Sequence, residues 1–103
     1  MTTQEIFDTL QTTLDKLDDA GIDDSSKRNL HILVLQLQNE LITESFNSLK
    51  DIDSVTVADT SQLPVLAAGV QTAIDDEKAR TALVEKLIAT AKVGLKAAGI
   101  PIP

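Results

Sequence analysis

His31 is the only histidine in this chain, and the chain has no cysteine. A metal site built on His31 would need further nitrogen or thiolate ligands, which the sequence does not offer. As a general base, His31 would need a nucleophile and an orienting acid beside it, and no spacing in the sequence predicts such a set. We therefore interpret His31 as a surface or boundary histidine.

A cluster of aspartates around Gly21 is the best candidate for calcium binding; its members are Asp15, Asp18, Asp19, Asp23 and Asp24. An EF-hand loop needs glycine at position six, oxygen ligands at one, three and five, and glutamate at twelve. With Gly21 at position six, lysines fall at positions one and twelve. The spacing fails, and we expect helix caps and solvated charge instead.

Other patterns that would indicate catalysis are absent from the sequence. Glu40 and Glu44 lie one helical turn apart, but neither is followed three residues later by the histidine of a di-metal bundle. The sequence has no glycine-rich phosphate loop and no Gly-x-Ser-x-Gly elbow. We predict a protein that is not an enzyme and that needs no cofactor and no metal.

Composition favours an acidic helical domain. Hydrophobic residues make up 43 % of the chain, but only two are aromatic, both phenylalanine. An aliphatic core of this kind is typical of small helical domains rather than β-sandwiches. The net charge of -7 opposes binding to nucleic acid, which requires clustered Lys and Arg. We predict no nucleic-acid partner.

The start of the sequence lacks the basic and apolar regions of a secretory signal, and no uncharged run reaches the ~20 residues of a membrane span. These features favour a cytoplasmic location, with signal-independent secretion as the alternative.

Apolar spacing predicts an all-α fold, a small antiparallel bundle of three to four helices in one domain over residues 1–103. The helices are expected at about 3–20, 25–50, 61–74 and 76–98, the last two being either separate or one continuous helix. A capping box at Thr2 and Glu5 begins the first helix, and Gly21 and Gly99 end the first and last. Residues 51–60 are expected to be an ordered connector. The apolar, proline-containing tail at 99–103 is expected to fray, with docking as the alternative.

The second helix carries two apolar stripes, which predicts a central helix buried against two neighbours. One stripe contains Leu30, Leu33, Val34, Leu37 and Leu41; the other contains Leu35, Ile42, Phe46 and Leu49. The last helix adds a strip of small residues that permits close packing. We predict an interaction surface on these two helices, made of Leu30, Val34, Leu37, Leu41, Phe46, Leu49, Val84, Ile88, Ala91, Gly94, Leu95 and Ala98.

The function that this surplus of apolar surface favours is a non-catalytic protein–protein interaction or assembly module. Its expected partner is another protein or a second copy of the chain, and we expect it to self-associate as a homo-oligomer. A membrane-active or lipid-binding protein is the first alternative, based on the apolar segment 63–74 and the lysines at 86, 92 and 96. A small-ligand-binding helical bundle is the second, based on His31 and the aspartates near Gly21.

Overall fold

Four α-helices form the part of the chain that the computed structural model describes, namely residues 1–47, 57, 60–100 and 102, with the side chains of 43–47 excluded. The helices are α1 (Thr3–Asp19), α2 (Ser25–Asn47), α3 (Leu63–Thr72) and α4 (Glu77–Ala97). The all-α prediction is confirmed, and α3 and α4 are separate helices. The predicted end of α2 at residue 50 and most of the predicted connector lie outside the described residues.

The predicted capping box begins α1. The Thr2 hydroxyl oxygen accepts from the Glu5 amide at 3.1 Å, and the Thr2 amide donates to Glu5 Oε1 at 2.9 Å. The Thr2 hydrogen bonds favour the ionised carboxylate and lower the pKa of Glu5. Two otherwise unpaired amides are thereby satisfied at the start of the helix.

Both glycine stops are also confirmed. Gly21 and Gly99 have positive φ angles of 73° and 83°, a conformation that costs glycine least because it has no Cβ. After each glycine an isoleucine amide donates back to the last helical turn at 3.0 Å, from Ile22 to the Leu17 carbonyl and from Ile100 to the Leu95 carbonyl. This is the hydrogen-bond pattern of a Schellman motif, and it directs each isoleucine back towards the bundle.

Each helix packs against two others, so that the order around the bundle is α1, α2, α4, α3. The two hairpins, α1–α2 and α3–α4, are antiparallel. The first turns of α2 and α4 are joined by an ion pair at one end of the bundle, so these two neighbours run parallel. The prediction that α2 packs against two neighbours is confirmed, because α2 lies between α1 and α4. The prediction that it is central is wrong, because it occupies one corner of the bundle.

The core is aliphatic, as predicted, and draws on all four helices. Its fully buried large side chains are Ile6, Leu10, Leu17, Leu30, Leu33, Val34, Leu37, Val57, Leu63, Val70, Leu87 and Leu95. Ile100 and Ile102 are each only 4 % exposed and belong to the same cluster. The expectation that the tail frays is therefore wrong for these two residues, since burying their side chains offsets the cost of ordering the chain.

Val57 is the described residue of the segment between α2 and α3 that enters the core. Its amide donates to the Met1 carbonyl at 2.8 Å, and the Met1 nitrogen donates to Thr60 Oγ1 at 3.2 Å. These bonds give the backbone amide of Val57 a partner at the start of the chain. They hold the start of α1 beside the residues that precede α3.

Arg80 joins the two hairpins at the opposite end. Its guanidinium donates to Asp24 Oδ2 at 3.0 Å and to the Ile74 carbonyl at 2.7 Å, and the residue is only 7 % exposed. Asp24 also caps α2, accepting from the Lys27 amide at 2.9 Å and from the Ser26 hydroxyl at 2.6 Å. Since Arg80 donates to the Ile74 carbonyl in the turn between α3 and α4, the helix can end there without glycine or proline.

The same contacts make folding sensitive to acid. Burial raises the pKa of Asp24, but hydrogen bonds from Ser26, the Lys27 amide and Arg80 outweigh it and lower the pKa to about 2. A carboxylate with a depressed pKa stabilises the fold above its unfolded pKa, and this contribution disappears as the pH falls through its folded pKa. We expect Asp24 to contribute roughly 2 kcal/mol that is lost between about pH 5 and about pH 1.

Urea unfolding at several pH values, followed by far-UV circular dichroism, measures this loss. Asp24→Asn is the matched control, because asparagine caps a helix nearly as well but carries no charge to titrate. We expect a shallower decline of the free energy of unfolding with acid in this variant. If the free energy of unfolding declined equally steeply with falling pH in the two proteins, the assignment of this stabilisation to Asp24 would be contradicted.

Candidate interaction surface

Most residues of the predicted interaction surface pack inside the chain's own bundle. Leu41 and Ala98 are partly buried against the core, Phe46 and Leu49 lie outside the described side chains, and the rest are buried: Leu30, Val34, Leu37, Val84, Ile88, Ala91, Gly94 and Leu95. The physical reason is that a chain with two aromatic residues needs nearly every regularly spaced aliphatic side chain to fill its own core. These faces are therefore not displayed to a partner in the folded chain.

Large apolar side chains are exposed elsewhere, chiefly on the outer side of α2. Ile32 and Leu35 are each 52 % exposed and Ile42 is 54 % exposed. Val65 on α3 and Val93 on α4 are also exposed, at 71 % and 69 %, but each is the one large exposed hydrophobic residue of its helix. The second predicted stripe of α2 is thus accessible at Leu35 and Ile42, and the prediction that both stripes are buried is wrong.

The exposed residues of α2 follow a regular spacing. Ile32, Leu35, Asn39 and Ile42 are separated by three, four and three residues. At ~100° per residue they fall within about 80° of one another on the helix surface, on the side away from Leu30 and the core. This is the spacing of the a and d positions of a heptad, with Ile32 and Asn39 at a and Leu35 and Ile42 at d. We call these four residues the outer seam.

The residues that flank the outer seam are uncharged. In heptad terms the e and g positions beside it are His31, Gln36, Gln38 and Thr43, and no Asp, Glu, Lys or Arg occurs between Arg28 and Glu40. His31 itself is exposed, in agreement with its interpretation as a surface histidine. A long uncharged stretch is notable in a chain with a net charge of -7. Another molecule can therefore approach this face without meeting like charge directly beside the contact.

A groove between α2 and α4 extends the apolar surface sideways from Ile32. It has a volume of about 470 Å³ and is lined by Asn29, Ile32, Glu85, Ile88, Ala89 and Lys92. Ile88 forms an apolar wall, while the side chains of Glu85 and Lys92 bring opposite charges to the α4 side. The groove gives a partner packed on α2 room to contact α4 as well.

Three of the aspartates around Gly21 form ion pairs, and one of them, Asp24, also caps α2. Asp18 pairs with Lys27 at 2.6 Å, Asp23 with the exposed Arg28 at 3.4 Å, and Asp24 with Arg80. No cluster of three or more His, Asp or Glu residues that could hold a metal ion occurs in the described part of the chain. These contacts explain the cluster through local structure, as the sequence interpretation expected for caps.

The apolar side of α4 packs in the core, and the lysines of α4 lie on the sides of the helix that face away from the core. Lys86 and Lys96 are exposed, and Val93 is the large apolar side chain that accompanies them at the surface. None of the helices, over the residues described, is both long and apolar enough to cross a membrane.

None of the four residues of the outer seam belongs to the predicted surface; Leu35 and Ile42 are assigned only to the second apolar stripe of α2, and Ile32 and Asn39 to neither stripe. Their signal was present in the sequence, because the three-four spacing runs from Ile32 through Asn39 to Phe46 and Leu49. The predicted surface follows the stronger apolar stripe that begins at Leu30 and therefore misses the spacing that begins at Ile32. Arg80 carried no such signal, since its partner Asp24 lies 56 residues away along the chain.

Comparison with known proteins gives no further guide to this surface. No family model matches the chain, and no curated protein or solved structure matches it either.

Proposed function

We propose that this protein is a non-catalytic helical interaction module that self-associates through the outer seam of α2. The observation that carries the proposal is that Ile32, Leu35 and Ile42 are each about half exposed on one side of one helix. A monomeric protein gains nothing from presenting these side chains to water. A contact that covers them removes apolar area from solvent on both partners.

The magnitudes favour a weak, reversible association. Burying the exposed half of a leucine or isoleucine side chain contributes roughly 1 kcal/mol, so three such residues on each of two copies contribute roughly 6 kcal/mol. Association costs at least about 4 kcal/mol in lost translational and rotational freedom. The balance of roughly 2 kcal/mol or less corresponds by itself to a dissociation constant on the order of tens of millimolar. A monomer–dimer equilibrium that becomes visible at high micromolar concentration therefore needs further contacts, such as those that the groove beside Ile32 offers. We expect such an equilibrium rather than an obligate oligomer.

Sedimentation velocity over a concentration series from about 10 µM to about 500 µM tests this proposal. The wild-type protein should shift from its 11.0 kDa monomer towards the dimer as concentration rises. Leu35→Gln and Ile42→Gln should each remove the shift, because each places an amide in the contact without disturbing the core.

Val65→Gln is the matched control, since Val65 is more exposed than either residue and lies on α3. It should associate like the wild type. A wild-type protein that stays monomeric throughout the series would contradict the proposal, as would loss of association in the control alone.

The lipid-binding alternative predicts the opposite response to salt. Lysines on α4 would attract anionic vesicles at low salt and release them at high salt, because the Debye length shrinks. Association through the uncharged outer seam of two acidic chains should persist or strengthen at high salt. Vesicle co-sedimentation and sedimentation velocity at two salt concentrations therefore separate the two functions.

A further inference from the structure

We infer that two copies of this chain pair α2 against α2 in parallel and in register, with Asn39 of one copy facing Asn39 of the other. The inference rests on the proposed function and adds the identity and orientation of the partner helix. It is carried by the position of Asn39, an exposed polar residue inside an otherwise apolar seam.

Asn39 decides the orientation because its amide must find a partner when the seam is covered. In a parallel, in-register pair each a position faces the same a position of the other copy, so the two Asn39 amides can hydrogen-bond to each other. In an antiparallel pair a positions face d positions, which places Asn39 against Leu35 or Ile42. Each amide left unpaired in this way weakens association about tenfold or more.

The first two residues of the seam agree with a pair of parallel helices. Ile32 at a and Leu35 at d is the combination that favours two-stranded parallel assemblies. The e and g positions beside the seam hold no Asp, Glu, Lys or Arg. Flanking residues of two identical chains therefore do not repel one another across the contact. Arg28, one turn before Ile32, is paired with Asp23 of its own chain at 3.4 Å, which compensates its charge near the start of the seam.

The second copy is the partner that these features fit best. A single polar a position specifies a partner with a polar residue at the same layer, and an identical chain supplies it automatically. The sequence continues the same spacing to Phe46 and Leu49.

Disulfide crosslinking tests the orientation directly, because the chain has no cysteine of its own. Ile32→Cys and Ile42→Cys are prepared separately, one of them isotope-labelled, then mixed at a concentration where the wild type associates and oxidised mildly. Parallel pairing brings each cysteine near its equivalent and should give homodisulfides, since a disulfide needs Cα atoms within about 7 Å. Antiparallel pairing brings position 32 near position 42 and should give the heterodisulfide, which mass spectrometry resolves by its label.

Val65→Cys measures the background from random collision. Predominant homodisulfides above that background support the inference. Predominant heterodisulfides overturn it while leaving self-association through α2 intact, and yields no greater than background overturn it as well. If the disulfide yields do not exceed the background, sedimentation of the wild-type protein shows whether self-association, the proposed function, also fails.

Asn39 variants give a second readout that does not depend on crosslinking. Asn39→Asp should weaken association at least tenfold near neutral pH, because two carboxylates would face each other. Asn39→Leu should strengthen association and give both types of disulfide in the mixed cysteine experiment, because the orientation signal is gone. Unchanged association in Asn39→Asp would overturn the inference.

Discussion

Replacing Arg80 by methionine is expected to lower the free energy of unfolding by about 2 to 3 kcal/mol. The substitution leaves the Asp24 carboxylate without its guanidinium partner and the Ile74 carbonyl without its donor. Methionine replaces most of the apolar contacts of the arginine stem, so the loss reports the polar contacts rather than a cavity. Urea unfolding followed by far-UV circular dichroism measures it, because the chain has no tryptophan or tyrosine for fluorescence.

A double-mutant cycle with Asp24→Asn isolates the pair. The two substitutions together should cost less than the sum of their separate effects, by about 1 to 2 kcal/mol, because either one alone already breaks the ion pair. Additive effects would mean that Arg80 acts only through the Ile74 carbonyl. A stability of Arg80→Met within about 0.5 kcal/mol of the wild type would contradict the role given to this network.

The second large effect is a contrast between two leucines two residues apart on α2. Leu37 is fully buried and Leu35 is 52 % exposed. Leu37→Ala should lower the free energy of unfolding by about 3 kcal/mol, since it leaves a cavity in the core. Leu35→Ala should change it by less than about 1 kcal/mol in dilute solution, where the protein is monomeric.

The same pair should show the reverse order in self-association. Leu35→Ala should weaken the dimer several-fold at concentrations where Leu37→Ala, while still folded, associates like the wild type. Each variant is thus the other's control. Equal loss of stability in the two variants would show that Leu35 is buried in the folded monomer, and the outer seam would then not exist.

Local signals predicted the helices and their ends well. The capping box at Thr2 and Glu5 and the glycine stops at Gly21 and Gly99 depend on residues within one or two turns. Such short-range chemistry is encoded in neighbouring residues and needs no knowledge of the tertiary arrangement. Local signals leave the break between α3 and α4 open because the arginine that donates to the Ile74 carbonyl in that turn, Arg80, is itself held by an aspartate 56 residues away.

Which side of α2 faces the core could not be predicted from the same signals. Leu33 and Leu37 are buried whereas Leu35 is exposed, although all three are leucines within four residues. Their difference is set by the positions of α1 and α4 around the helix, which is a tertiary property. The tail illustrates the same limit, because Ile100 and Ile102 are buried by packing that no local pattern in the sequence indicates.

An amide proton–nitrogen correlation spectrum recorded over a dilution series tests the central claim most directly. It observes the backbone amides of all non-proline residues after Met1 at once and needs no substitution. We predict concentration-dependent shifts that concentrate at Ile32, Leu35, Asn39 and Ile42 and that leave Val65 on α3 unchanged. Spectra that do not change with concentration, or shifts that map to α3 instead of the outer seam, would contradict the account.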